Sequence, residues 1–261
     1  MSVKYAIFLD IDGTLTWDES GLTSEGNLAV LQRAQKEGHI ICINSGRSYG
    51  NLPKPLLEQI KPDGLVCGGG AYVTLNGKLL QAVRMSKELV MKVCEVFIKE
   101  HISLVLESEG VSAIVCPDVY PWPAQAFPCI SNMEEAEAYA NSANVTKVTA
   151  TSLRHQMPQY MIDLLEEYFN VIYHPGYTEA ILKPCSKATG MQVLMDAAGI
   201  DREHSMGLGD SLNDEEMLRY AGIGVAMGQA PDVVKAFATV VTAPANEDGV
   251  AKAIEQYILN A

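Results

Sequence analysis

Asp10-Ile11-Asp12-Gly13-Thr14-Leu15 sets two carboxylates two positions apart, directly after the apolar run Tyr5-Ala6-Ile7-Phe8-Leu9. That run reads as a buried strand, so Asp10 stands at its tip and Asp12 in the turn beyond, where Gly13 permits a close backbone reversal. In a parallel α/β sheet ligands collect at the carboxyl ends of the strands, and charge at such an end points to a site. One Asp alone would read as a solubilising flank. This pair has partners downstream.

A second apolar run, His39-Ile40-Ile41-Cys42-Ile43-Asn44, ends in Ser45-Gly46-Arg47, a hydroxyl and a turn glycine suited to an anion. Ser186-Lys187 opens a helical run from Ala188 to Ala198, which brings an ammonium and unpaired backbone N–H groups towards one phosphate. Met206-Gly207-Leu208-Gly209-Asp210-Ser211-Leu212-Asn213-Asp214 then places two more carboxylates at a strand-to-helix turn. Oxygen ligands from Asp10 and Asp210 fit Mg²⁺, which favours carboxylates, carbonyls, water and a substrate phosphate.

This ordered set resembles the haloacid dehalogenase superfamily of phosphohydrolases, whose hallmarks are D-x-D-G-T, a Ser or Thr after the second strand, a Lys, and G-D-x-x-N-D. Ser45-Gly46-Arg47, the late Lys187 and Asp248-Gly249-Val250-Ala251 resemble more narrowly the Cof-type sugar-phosphate phosphatases, which carry a large type IIB cap between the second and third motifs. The resemblance implies a Rossmann-like parallel sheet core with an inserted α/β cap. It implies Asp10 as nucleophile, forming an aspartyl-phosphate, and Asp12 as general acid and then base. It implies Mg²⁺ held by Asp10, the Asp12 carbonyl and Asp210, with Asp214 acting through a metal-bound water or by orienting Lys187. Ser45, Gly46, Arg47, Lys187 and Asn213 are the implied phosphate-binding set.

Asp at the position of Asp12 distinguishes phosphatases and phosphomutases from ion-pumping relatives, which carry Thr there. The implied activity is hydrolysis of small phosphorylated metabolites, sugar phosphates above all. A phosphomutase and a non-enzymatic metabolite sensor are the alternatives, the latter disfavoured because every catalytic position is kept. Thr14 reads as a turn hydroxyl that caps local N–H groups. Two positions depart from the family pattern: Gln229 where Asn is frequent after V-A-M-G, and Gly69-Gly70-Ala71 where Asn-Gly-Ala is frequent. The Gly68 to Gly70 run could also cradle a phosphate.

Lys and Arg total 19 against 32 acidic residues, a net charge of −13, which argues against nucleic acid as the partner. The absence of an 18-residue apolar run or a signal-peptide layout predicts a cytoplasmic protein with no membrane partner. A monomer or weak homodimer is expected. Six cysteines lack metal-ligand spacing, and Cys42, Cys67, Cys94 and Cys116 lie in apolar runs as small core residues.

The elements that position these groups alternate as βαβ up to Gly64 to Cys67, and Asn76-Gly77 predicts a hairpin. Beyond it come an amphipathic helix from Lys87 to Lys99, strands near 102 to 107 and 111 to 116, and two further helix–strand alternations through Tyr173. Glu179 to Lys183 is expected to return to the core. The domains are thus 1–82 with 182–261 as a discontinuous catalytic core, and 83–181 as the cap. The segment holding Pro117, Pro121, Pro123 and Pro128 with Tyr120, Trp122 and Phe127 reads as a stiff connector.

Overall fold

Short, uninterrupted apolar runs must be covered on both faces, and in the computed structural model they occupy the middle of a largely parallel sheet. The structure describes residues 3–121 and 127–260, so Trp122 and Pro123 of the proline-rich stretch lie outside the described residues. In chain order the elements are β1 (Ala6–Leu9), α1 (Glu25–Lys36), β2 (Ile40–Asn44), α2 (Lys54–Ile60), β3 (Gly64–Cys67), β4 (Tyr72–Leu75) and β5 (Lys78–Ala82). There follow α3 (Lys87–Lys99), β6 (Leu104–Ser108), β7 (Ala113–Val115), β8 (Cys129–Ile130), α4 (Met133–Ala140), β9 (Val145–Ala150), α5 (Gln159–Tyr168), β10 (Phe169–Tyr173) and β11 (Thr178–Leu182). The last part carries α6 (Lys187–Ala198), β12 (Ser205–Gly209), α7 (Glu215–Tyr220), β13 (Ile223–Ala226), α8 (Asp232–Lys235), β14 (Val240–Val241) and α9 (Gly249–Ile254).

The first sheet has the order β14-β13-β12-β1-β2-β3-β4-β5, with β14 to β3 parallel and β4 turned antiparallel to β3. Residues alternate across it. Ile7, Leu9, Ile41 and Ile43 pack with Leu31 of α1 and Val250 of α9, while Ala6, Phe8, Ile40 and Cys42 pack with Met191 and Leu194 of α6 and Met217 of α7. Helices therefore cover both faces, as a doubly wound sheet requires. Ser24 caps α1 by accepting from the Asn27 amide, and the Asn76-Gly77 turn takes the two positive φ values, 50° and 74°, that a type I′ hairpin demands.

The second sheet has the order β10-β11-β9-β6-β7-β8. One face carries Leu104, Leu106, Val148, Ala150, Ala180 and Leu182 into a core shared with α3, α4 and α5. The period of two puts Glu107, Lys147, Thr149 and Glu179 on the opposite face.

By packing the chain divides into two units, one with the residues up to Gly46, Leu52–Gln81 and Ser186 onwards, the other with Arg47–Asn51 and Ala82–Cys185. Two expectations need correction here. Glu179 to Lys183 does not return to the first sheet: β11 pairs antiparallel with β9 and β10. Arg47–Asn51, read from sequence as core, groups with the second unit. No helix among the described residues is long and apolar enough to cross a membrane.

Candidate active site

β1 ends in Asp10, whose amide donates to the Leu208 carbonyl of β12 at 3.0 Å, so the strand pairing itself fixes the residue. The chain then turns around the Ile11 carbonyl, which accepts from the Thr14, Leu15 and Thr16 amides. Gly13 sits in this turn at φ +79°, and a Cβ there would collide with the Asp210 carboxylate. Its lack of a side chain is required twice over. Asp12 faces outwards, and Thr14 is buried with its hydroxyl 3.5 Å from Asp210 Oδ1.

β12 lies beside β1 and ends in the turn that holds Asp210. Asp214, fully buried, accepts at Oδ2 from the Asp210 and Ser211 amides, both at 3.0 Å. At Oδ1 it accepts from Lys187 Nζ at 2.5 Å, and Lys187 also donates to Asp10 Oδ1 at 2.6 Å. Ser186 caps α6 by accepting from the Thr189 amide, so Lys187 is the first residue of that helix. The Lys187 carbonyl in turn accepts from Asn44 Nδ2 at 3.2 Å, a contact that reaches α6 from the last residue of β2.

One ammonium thus faces two carboxylates, with a third nearby: ligand oxygens of Asp10, Asp210 and Asp214 lie within 4.8 Å of one another. Burial raises the Asp10 carboxyl, Lys187 offsets part of that, and Asp214 and Asp210 add to it, leaving it pushed up to about 8. Asp210 is pushed up to about 6, by burial and then by Asp214. Burial alone would lower Lys187, but Asp10 and Asp214 outweigh it and hold the ammonium above its ordinary range. An all-oxygen, excess-negative set of this kind suits a hard divalent cation and offers nothing to a soft one.

Of the residues singled out in the sequence, Asp10, Asp210, Asp214 and Lys187 are drawn into one cluster. Ser45 and Gly46 are buried at the end of β2, beside β1, with the Ser45 amide donating to the Val66 carbonyl at 2.8 Å. Asn213 is half-buried and accepts at Oδ1 from the Ser211 hydroxyl at 2.8 Å. The Asp12 carboxylate stands outside the acidic triad, and Arg47 belongs to the second unit. The Gly68 to Gly70 run is not an open phosphate cradle. The Gly69 amide donates to the Ser45 carbonyl and the Gly70 amide to Cys67, and a Cβ on Gly70 would strike the Ser186 carbonyl.

Sequence reasoning missed two positioning residues. Asn44 looked like the polar end of a strand, and nothing local marks its bond to α6. Gln229, noted only as a departure, donates to the Gly13 carbonyl at 2.5 Å and accepts from the Ala245 amide at 3.0 Å, tying the Asp12 turn to the last third of the chain. Asp12, Gly13, Trp17, Asp210 and Gln229 line a cavity of about 530 Å³. Cys185, two residues before Lys187, is buried, which pushes its thiol up to about 11 and keeps it unreactive.

The chain is similar to a 5-amino-6-(5-phospho-D-ribitylamino)uracil phosphatase of Bacillus subtilis, with 31% identity over 275 residues, 97% of each chain. A second protein of that name from the same organism is 27% identical over 256 residues, 97% of this chain and 95% of its own. Among solved structures, a subclass IIB sugar phosphatase superposes with a TM-score of 0.82 at 28% identity, over 97% of this chain and 98% of its own. The family model for haloacid dehalogenase-like hydrolases matches residues 7–254, a span that takes in both sheets and all four motifs. With the motif residues clustered at the ends of β1 and β12 and that match running nearly end to end, the chain belongs to the haloacid dehalogenase-like hydrolases.

Proposed function

We propose that this hydrolase is a Mg²⁺-dependent phosphatase of small phosphorylated metabolites, sugar phosphates and related ribityl phosphates, acting through an aspartyl-phosphate on Asp10. The observation that carries the reading is the shared Lys187 ammonium, 2.6 Å from Asp10 and 2.5 Å from Asp214. Asp10 would attack phosphorus while Lys187, already held by Asp214, supplies positive charge to the phosphoryl oxygens as negative charge develops there. Asp12, exposed beside the cavity, would protonate the leaving alkoxide and then take a proton from the attacking water. Ser45, Gly46, Arg47 and Asn213 would bind the phosphoryl oxygens.

Asp10, Asp210 and the Asp12 carbonyl would hold Mg²⁺, with Asp214 behind them. When bound, the cation offsets repulsion between these carboxylates and an anionic ester, and favours the ionised form of Asp10. Gln229 and Gly13 keep the Asp12 turn in register with Asp210. Residues 83–181, which contain none of the motif residues, are assigned the choice of substrate. The relatives whose names specify a phosphorylated ribityl substrate support that class, as does the likeness to a sugar phosphatase. The reading includes a cytoplasmic enzyme that acts as a monomer or weak homodimer.

The test is release of inorganic phosphate from a panel of sugar, ribityl and nucleotide phosphates and p-nitrophenyl phosphate. Release should stop in chelator and return with Mg²⁺. Full activity in chelator, restoration by Zn²⁺ alone, or isomerisation of the substrate without phosphate release would each overturn it.

A further inference from the structure

Outside the acidic cluster, a dense set of buried charge lies on the face of the second sheet opposite its apolar core. Glu107 of β6 and Lys147 of β9 are register partners, and Glu179 of β11 is opposite Thr149. Lys147 Nζ lies 3.2 Å from Glu107 Oε1 and 2.7 Å from Glu179 Oε1, while His174 Nε2 is 3.1 Å from Glu179 Oε2. Thr149 donates to Glu107 Oε1 at 2.7 Å. Glu107 and Lys147 are each under 10% exposed, so a carboxylate here must be fully engaged to be tolerated.

The other oxygen of Glu107 is spent on a piece of chain far away in sequence. Glu107 Oε2 accepts from the Ser48 amide and from Asn51 Nδ2, both at 3.3 Å. Asn51 Oδ1 accepts from Ser112 at 3.1 Å, and Gly50 runs so close to Gly110 that a Cβ would collide with its carbonyl. These contacts explain why Arg47–Asn51 packs with the second unit although Ser45 and Gly46, the residues just before it, pack with the first. The boundary between the units falls inside the Ser-Gly-Arg motif.

We infer that Glu107 is a positioning residue for Arg47: the carboxylate on the second sheet, held by Lys147 and Thr149, anchors the segment that carries this arginine. Ser45 groups with the first unit and Arg47 with the second. Glu107 reaches no reacting atom. Its effect runs through the Ser48 amide and Asn51, and for catalysis it rests on the phosphatase reading, in which Arg47 contributes to phosphate binding.

The experiment uses the full chain and the variants Glu107→Gln, Asn51→Ala and Arg47→Ala. Asn51→Ala removes the side-chain tie while leaving the Glu107–Lys147–Glu179 ion pairs in place, so it remains informative if Glu107→Gln fails to fold. Amide hydrogen exchange of peptides covering 47–51 should rise about tenfold or more in Glu107→Gln and Asn51→Ala, with the β1 peptide unchanged. KM for phosphate release should rise in both variants with kcat nearly constant, the mark of lost binding rather than lost chemistry. Adding Asn51→Ala to Arg47→Ala should raise KM no further. Unchanged exchange at 47–51 would overturn the anchor whether or not any ester is hydrolysed, and full additivity with Arg47→Ala would overturn its action through Arg47. Failure to release phosphate from any ester would instead strike the phosphatase reading and leave the exchange result standing.

Discussion

Replacing Lys187 with Met keeps the length of the buried stem and removes the ammonium that Asp10 and Asp214 share. Each pair is worth about 4 kcal/mol at 4 Å under an effective dielectric near 20, and returning the ammonium to water refunds part of that. Breaking a buried pair by deleting one partner costs about 3–5 kcal/mol, because the remaining charge is stranded. Asp214, fully buried, has the least recourse. At about 2–4 °C per kcal/mol for a chain of this size, the melting temperature should fall by about 6–20 °C. Asp10, already pushed up to about 8 with Lys187 present, loses the main group that lowers it and is pushed higher still. Turnover should drop by about 10²-fold or more, the usual loss when a donor to a developing oxyanion is removed. Thermal unfolding and phosphate release, each with and without Mg²⁺, read the two effects separately. A melting temperature within about 2 °C of the parent, or kcat within about threefold, would show that the ammonium is not what holds these carboxylates together or serves the reaction.

Asp12→Asn should slow turnover by about 10²- to 10⁴-fold, most for sugar phosphates and least for p-nitrophenyl phosphate, whose leaving group needs no proton; equal losses for both would refute the acid role. Gly13→Ala should push Asp210 from its place and weaken Mg²⁺ binding measured by calorimetry, while an unchanged affinity would show that the turn can yield. Burial alone would raise the Glu179 carboxyl, but Lys147 and then His174 outweigh it and hold it well below its ordinary 4.5. With a depressed folded value, the stabilisation is complete above pH 4.5 and is lost as pH falls below it, so Glu179→Gln should flatten the acid limb of a urea-midpoint profile there, and parallel limbs would refute this.

Sequence periodicity located the strands that carry the site because their signals are local. Ala6–Leu9 and Ile40–Asn44 are unbroken apolar runs, Ser186 caps the helix that begins at Lys187, and Asn76-Gly77 can hardly be other than a hairpin turn. What stayed hidden depends on partners distant in sequence. Thr178–Leu182 has a strand pattern that suits either sheet, and only its pairing with Val145–Ala150 decides. Arg47–Asn51 has no periodicity, and its membership follows from a glutamate 56 to 59 positions later. The dual work of Asp214, two backbone amides on one oxygen and an ammonium on the other, is a matter of rotamer and burial that residue type does not reveal.

The pairing of β1 with β12 also bears on how the chain is made. Lys187 follows Asp10 by 177 residues, so at about 5–20 residues per second a ribosome adds it about 9–35 s after Asp10 has been polymerised. For that interval Asp10 lacks the ammonium it pairs with in the fold, and the edge of β1 that will receive Ser205–Gly209 has not yet met that strand. An apolar edge left open so long is a template for the wrong neighbour, and the carboxylates at its end are the negative charge that discourages one. The end of β1 thus carries negative charge throughout the time its edge waits for Ser205–Gly209, which is how an open edge is blunted.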